Sequence, residues 1–324
     1  MYRMVVRELG GPEVLEREEL GAVSAGPGEV VIDVEAIGCN FFDTLITRGK
    51  YQIQPELPFA PGAEAAGRVR ELGAGVTQFS VGDRVSALLE YGAFASTVAA
   101  PEARVFPMPD SMSFEQAASL GLVYQTSHVG LVHRAGLRAG ETVLVHAAAG
   151  GVGLAAVQIA VALGANVIGT AGTSEKLDLV KRQGAAAVIN YRDADWVERV
   201  NELTDRRGAD VIYDPVGGDT FDLSTKCVAF EGRILIIGFA SGRIPTPKMS
   251  RVMVKNFSLL GLHWGLYFKK NPAVLRKAQE EISRMHSEGK IRPIVSATHP
   301  LEEASRALEA LASRNTTGKV VLLP

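Results

Sequence analysis

His146-Ala-Ala-Ala-Gly-Gly-Val-Gly153 follows the β-rich run Thr142-Val-Leu-Val145 and precedes a helical pattern in which Val152, Ala155, Ala156, Ile159, Ala160 and Leu163 share one face. A strand, a turn of small residues and a helix in that order make a pyrophosphate site. Glycine lets main-chain N–H groups approach phosphate oxygens, and the helix N-terminus supplies partial positive charge. The stretch departs from G-x-G-x-x-G, because Ala148 stands at the first glycine position, with Gly150 and Gly153 at the other two. A helix cap that merely needs small residues would look the same, so the flanking chain has to distinguish the two.

Downstream, strands are expected at 142–148, 165–170, 186–190, 209–214, 233–238 and 256–262, and helices at 151–163, 174–183, 193–206 and 219–230. Strands alternating with helices of this length imply parallel βαβ units with right-handed crossovers. The fold class is therefore α/β, with a Rossmann doubly wound parallel sheet. Upstream, residues 1–120 read as mostly β: Ile32, Val34 and Ala36 alternate with Asp33 and Glu35, and Gly/Pro turns punctuate 11–12, 26–28 and 61–62. The pattern changes near Ser113, with helices expected at 114–120 and 124–135. A long amphipathic helix is expected over 272–288 and another over 301–314. The last strand, 319–323, could return to the first domain. The expected division is a β-rich domain of residues 1–122 and 264–324, and a dinucleotide-binding domain of residues 123–263.

The length of 324 residues favours two domains. Lys plus Arg total 34 against 36 Asp plus Glu, a formal charge of −2, which suggests neither a nucleic-acid partner nor a basic membrane-binding patch. No apolar run approaches a membrane span. The N-terminus lacks the apolar core of a signal peptide, and two cysteines, Cys39 and Cys227, cannot build a disulfide framework. A cytoplasmic protein is expected.

The end of the second strand of the α/β region distinguishes NAD from NADP. An NAD site usually has an Asp or Glu there for the ribose hydroxyls. Here the strand runs Val167-Ile-Gly-Thr-Ala-Gly172 without an acid, and Thr173, Ser174 and Lys176 follow; Tyr191 ends the third strand. A 2′-phosphate wants a cation and hydroxyl donors. Lys176 is the main candidate, supported by Ser174 and Tyr191, although Ser174 and Lys176 could also simply begin an ordinary helix. Metal chemistry looks absent: there is no C-x-x-C, H-x-x-x-H or H-E-x-x-H. His128 and His133 have no evident third ligand. There is no G-x-S-x-G elbow, since Gly238-Phe-Ala-Ser-Gly242 is off by one position, and no tyrosine has a lysine four residues later.

Ala147-Ala-Ala-Gly-Gly-Val-Gly153 resembles the nucleotide loop of zinc-independent medium-chain dehydrogenases/reductases, specifically their NADPH:quinone oxidoreductase (zeta-crystallin-like) branch. Pro61-Gly-Ala-Glu-Ala-Ala-Gly67 resembles that family's P-G-x-E-x-x-G segment, and Gly38-Cys-Asn-Phe-Phe-Asp43 its G-x-N-x-x-D segment; Val81-Gly-Asp-Arg-Val85 is also typical. The resemblance spans essentially the whole chain. Zinc-dependent relatives have a cysteine ligand where this chain has Asn40 and a histidine where it has Ala63, and their four-cysteine lobe has no counterpart. Without a Lewis acid, alcohol dehydrogenation is disfavoured.

The resemblance implies a GroES-like β-rich catalytic domain plus the Rossmann domain, NADPH as cofactor, and a homodimer joined through the Rossmann sheets. It implies hydride transfer to quinones or α,β-unsaturated carbonyl compounds. Carried over by position, Asn40 would lie near nicotinamide and substrate, and Thr126 near the nicotinamide-ribose side. The loop residues Ala149, Gly150, Gly151 and Val152 would meet the pyrophosphate. Gly172, Thr173, Ser174, Lys176 and Tyr191 would surround the adenosine 2′-phosphate. Gly238, Phe239 and Ser241 would flank the nicotinamide, and Arg314 would lie near the cofactor. For a quinone, solvent could supply the proton; for an enone or enoyl thioester a donor near the carbonyl would help. Tyr51 is the first candidate and Asn40 the second, while an ordinary amphipathic role for Tyr51 stays equally open. Two rival readings remain. One is an enoyl-CoA (2-enoyl thioester) reductase, using Arg243, Lys248, Arg251, Lys255, Lys269 and Lys270 against the CoA phosphates. The other is an NADPH-binding structural or RNA-binding protein.

Overall fold

Alternation and β-branched residues lay down fifteen strands in chain order: β1 (Tyr2–Val6), β2 (Leu15–Glu19), β3 (Glu29–Cys39), β4 (Glu64–Leu72), β5 (Arg84–Leu88), β6 (Thr97–Pro101), β7 (Val105–Pro107), β8 (Thr142–Val145), β9 (Asn166–Ala171), β10 (Ala187–Asn190), β11 (Ala209–Asp214), β12 (Val228–Ile236), β13 (Ser258–Gly261), β14 (Val295–Pro300) and β15 (Lys319–Leu323). The computed structural model describes every residue, Met1–Pro324. The chain divides into one unit of Met1–Leu122 with Pro293–Pro324, and a second of Val123–Arg292.

In the first unit a seven-stranded sheet runs β14-β15-β3-β4-β5-β7, with β6 also paired to β3. The strand β3 is the spine: Val30, Ile32 and Ile37 are fully buried, in one cluster with Phe94, Leu308 and Leu322. The terminal strand returns to this sheet as expected. Antiparallel pairing of Val320 with Cys39 and Leu322 with Ile37 brings Lys319 beside Asn40.

In the second unit six strands run in the order β10-β9-β8-β11-β12-β13, every pairing parallel. The direction of winding reverses between β8 and β11, the switch point at which doubly wound sheets take ligands beyond the strand carboxyl ends. The helix Gly151–Ala162 is buried more widely than a single stripe, with Leu154 and Val157 covered as well as Ala155, Ala156, Ile159 and Ala160. The segment expected as one helix over 124–135 is an α-helix Gly121–His128 continued by a π-helix Val129–Arg134.

One domain boundary needs correction. Residues 264–292, expected in the catalytic domain, belong to the second unit. Trp264, Tyr267, Phe268 and Val274 pack around Val129, Leu275 and Ala278. Gln125 Nε2 donates to Gln279 Oε1 at 2.7 Å, and His128 Nε2 lies 2.7 Å from Glu281 Oε2. The helix Pro272–Ser287 thus completes a polar and apolar seam with the helix that opens this unit. An amphipathic stripe specifies that a face is buried, not which unit buries it.

Candidate functional site

After β8 the chain turns sharply. Ala147 stands at φ 47°, in the left-handed region that costs a non-glycine residue roughly 1–2 kcal/mol, and its carbonyl accepts from Gly150 N–H at 3.0 Å. His146 is locked behind the turn, Nδ1 3.0 Å from Thr170 Oγ1 and Nε2 2.9 Å from Ser224 Oγ. Complete burial pushes its pKa down to about 3, so the ring is neutral and serves as a strut.

Of the three glycines of the loop, Gly150 and Gly153 are glycines for different reasons. A Cβ on Gly153 would stand 2.2 Å from Ala147 O and 2.8 Å from Ala148 Cα, so the fold itself demands glycine. A Cβ on Gly150 would meet only Ala147 O, at 3.4 Å. Gly150 is extended, at φ −80° and ψ 172°, a conformation any residue adopts. It caps the N-terminus of the helix Gly151–Ala162, and no side chain caps that helix. Its first N–H groups are therefore open to an anion approaching bare main chain.

The carboxyl ends of the neighbouring strands carry the other candidates. After β9, Thr173 Oγ1 accepts from Lys176 N–H at 3.4 Å and so caps the helix Ser174–Arg182. A Cβ on Gly172 would lie 2.8 Å from Tyr191 Oη, so the phenol stands over that turn, 43% exposed. Sequence reading overlooked Glu175. Its carboxyl sits at the same helix N-terminus, where its own N–H and the Thr173 hydroxyl hold it below the usual carboxylate range. After β11, buried Asp214 turns the chain back: Oδ1 accepts from Val216 N–H at 2.8 Å and Gly217 N–H at 2.9 Å. The turn abuts the loop after β12, with a Cβ on Gly217 falling 2.9 Å from Phe239 Cδ1 and one on Gly218 2.7 Å from Ser241 Oγ. Gly238 leads into that loop. Thr126, on Gly121–His128, is buried, and its hydroxyl makes no hydrogen bond within the chain.

The first unit holds Asn40, Tyr51 and Arg314. Asn40 sits in a buried knot that sequence reading did not resolve. Lys319 Nζ donates to Glu64 Oε1 at 2.6 Å, Asn40 Oδ1 at 2.6 Å and Cys39 O at 2.8 Å. Asn40 Nδ2 donates to Glu64 Oε1 at 2.9 Å and Gly38 O at 3.2 Å. Glu64 Oε2 takes Leu122 N–H at 2.9 Å. Asp43 joins the two sequence segments by accepting from Asn40 N–H at 2.8 Å and Gly62 N–H at 3.1 Å. Its burial drives the carboxyl pKa up to about 7, against the lowering effect of those N–H groups and of Lys319. Close packing keeps the knot tight: a Cβ on Gly38 would stand 2.0 Å from Ala118 O.

Both Nδ2 hydrogens of Asn40 are thereby committed, which removes its side chain as a proton donor. Tyr51 differs. Its ring lies 5.2 Å from that of Phe42, it is half-buried against the core, and its hydroxyl makes no hydrogen bond within the chain. Burial, reinforced by the charge of Asp43, raises its pKa and keeps the phenol protonated. Arg314 stands in the left-handed region at φ 58°, just past the helix Ala304–Ala312.

No group of three or more His, Cys, Asp and Glu side chains is arranged to hold a metal ion. His128 is paired with Glu281, and His133 stacks edge-on against Tyr267 at 5.6 Å. The cations considered for CoA phosphates are largely engaged. Arg243 binds Asp219 and Asp222, Arg251 donates to Thr225 Oγ1, and Lys255 caps the carbonyls of Thr225, Lys226 and Val228.

Residues 151–280 match the zinc-binding dehydrogenase family and residues 26–110 the alcohol dehydrogenase GroES-like domain. The chain is 42% identical to a quinone oxidoreductase-like protein 2 homolog of Nematostella vectensis, over 99% of its own length and 88% of the relative's. It is 40% identical to the quinone oxidoreductase of Pseudomonas aeruginosa, over 97% of each. Among solved structures, mycobacterial Rv1454c complexed with NADPH superposes with a TM-score of 0.94 at 38% identity, covering 100% of both chains. A Rossmann sheet, a GroES-like unit and full-length similarity agree: the chain belongs to the quinone oxidoreductase family of medium-chain dehydrogenases/reductases.

Proposed function

We propose that this protein is an NADPH-dependent reductase that passes a hydride to quinones or α,β-unsaturated carbonyl compounds without a protein-bound metal. The observation that carries it is Gly150, a glycine for which the fold has no use, at an uncapped helix N-terminus beyond the switch point of the sheet. A nucleotide diphosphate resting on the main chain there would give it one. The N–H groups of Gly151 and Val152 would hold the pyrophosphate, with Ala149 and Gly150 beside them as small residues that let it approach the main chain. Lys176, Ser174 and Tyr191, around Gly172 and Thr173, would hold the 2′-phosphate. Thr126, Gly238, Phe239 and Ser241 would position the nicotinamide end. When bound, the reduced nicotinamide supplies the hydride.

The chain's own task is to orient the acceptor and stabilise the anion that forms. Tyr51 carries a protonated, unpartnered hydroxyl suited to donate to the carbonyl oxygen of an enone. A quinone can take its protons from solvent. Enoyl-CoA is the weaker substrate class, because Arg243, Arg251 and Lys255 are already committed within the chain. The formal charge of −2 gives an RNA-binding role little support.

A homodimer through β13 is part of the same proposal. That strand ends the sheet with its outer edge free, and beside it the helix Met249–Lys255 buries none of its residues. Met249, Met253 and Val254 are 64–72% exposed, a cluster that water disfavours. A reducing, cytoplasmic setting suits the two free buried cysteines. No helix is long and apolar enough to cross a membrane.

The direct test is NADPH oxidation against ortho-quinones, enones and crotonyl-type thioesters, beside NADPH binding by nicotinamide fluorescence. Tight NADPH binding with turnover of quinones or enones is the expected result. Absence of binding, or inactivity across the panel, would overturn the proposal.

A further inference from the structure

We infer that Lys319 is a positioning residue of this reductase, clamping Asn40 and Glu64 so that the segment from Asn40 to Tyr51 is held in its working shape. The inference rests on the reading of Tyr51 as the hydroxyl that serves enone carbonyls.

Lys319 is 3% exposed, and its ammonium has three N–H bonds and three acceptors: Glu64 Oε1, Asn40 Oδ1 and Cys39 O. No donor is left over. The cation therefore does not act on a ligand; it orders the groups around it. Its contact with Asn40 Oδ1 settles which way the carboxamide faces, because Nδ2 must then turn to Glu64 and Gly38. The backbone N–H of Asn40 is in turn anchored on Asp43 Oδ2, and Phe42, between them, packs its ring against Tyr51. A continuous set of contacts thus runs from the last strand of the chain to the phenol. An apolar residue at position 319 would satisfy the strand pairing of β15 equally well, so the pairing does not explain a buried ammonium. Burying a charge pair is costly unless every polar group finds a partner, and this one does.

The test compares Lys319→Arg, Lys319→Met and the double variant Lys319→Met with Glu64→Gln. Removing Lys319 alone strands the Glu64 carboxylate and can unfold the unit; the double variant leaves no buried unpaired charge. Each is measured for NADPH binding, for kcat with an enone and with a quinone, and for exchange of the Asn40 side-chain amide by NMR. The expected result for the double variant is NADPH affinity within twofold of the parent. Fast exchange of the Asn40 amide and a fall in enone kcat of at least tenfold should accompany it, with quinone kcat falling less than threefold. Lys319→Arg should recover part of the enone rate.

Unchanged exchange at Asn40 overturns the inference, whatever the activity. So does a double variant whose enone and quinone rates stay level or fall together, since the clamp would then not act through Tyr51. A parent protein that shows a protected Asn40 amide but binds no NADPH would instead sink the reductase reading and leave the clamp standing.

Discussion

Gly153 and Ala147 touch so closely that the loop admits no side chain between them: a Cβ on Gly153 would lie 2.2 Å from the Ala147 carbonyl oxygen. A Cβ on Gly150, three residues earlier, would make one ordinary contact, 3.4 Å from the same oxygen. Substitution should separate the two roles. Gly153→Ala is expected to destabilise the second unit by roughly 2 kcal/mol or more, since backbone must move. Gly150→Ala should leave the melting temperature nearly unchanged yet weaken NADPH binding at least tenfold. Calorimetry and fluorescence titration of both variants check this, and equal melting losses would contradict it.

In the proposed site, Lys176 and Glu175 would pull in opposite directions on a 2′-phosphate. Lys176→Ala should erode the preference for NADPH over NADH, and an unchanged ratio would refute the assignment. Glu175→Gln removes a negative charge at the same helix N-terminus and should tighten NADPH by roughly two- to fivefold without affecting NADH. Paired Kd measurements at low salt give both answers.

The Asp43 carboxyl gives the first unit a pH dependence of definite sign. Its pKa rises from 3.8 to about 7 on folding, so the folded state binds this proton more tightly. The associated stability is fully present below pH 4 and is lost progressively as pH rises to about 7. Asp43→Asn should flatten that slope in denaturant melts between pH 4 and pH 7, though the variant loses a backbone acceptor and starts from a lower stability.

Tyr51→Phe removes the hydroxyl while keeping the ring on Phe42. Enone turnover should drop about a hundredfold, in the range of lost general acids. Quinone turnover should change little. Steady-state kcat for both substrates decides it, and an equal response would reduce Tyr51 to a packing residue.

Met253→Glu places a carboxylate in the exposed apolar cluster beside β13. Sedimentation is expected to report a dimer for the parent and a monomer for the variant, with NADPH binding retained; a monomeric parent would remove the proposed dimer.

The amino-acid sequence by itself determined what depends on neighbours along the chain. The strand–turn–helix at 142–162, the βαβ alternation to 261 and a strand over 319–323 were all legible, because period, turn chemistry and helix length are local quantities. Tertiary structure alone decided the rest. Lys319 meets Asn40 across 279 residues of chain, and no spacing rule reaches that far. The same holds for the helix Pro272–Ser287, whose stripe fits either unit until Val129 covers it. Gly150 and Gly153 read alike as letters. Only the approach of Ala147 O separates a glycine that the fold requires from one that it leaves free for a ligand, since that distance is set by how the turn closes in space.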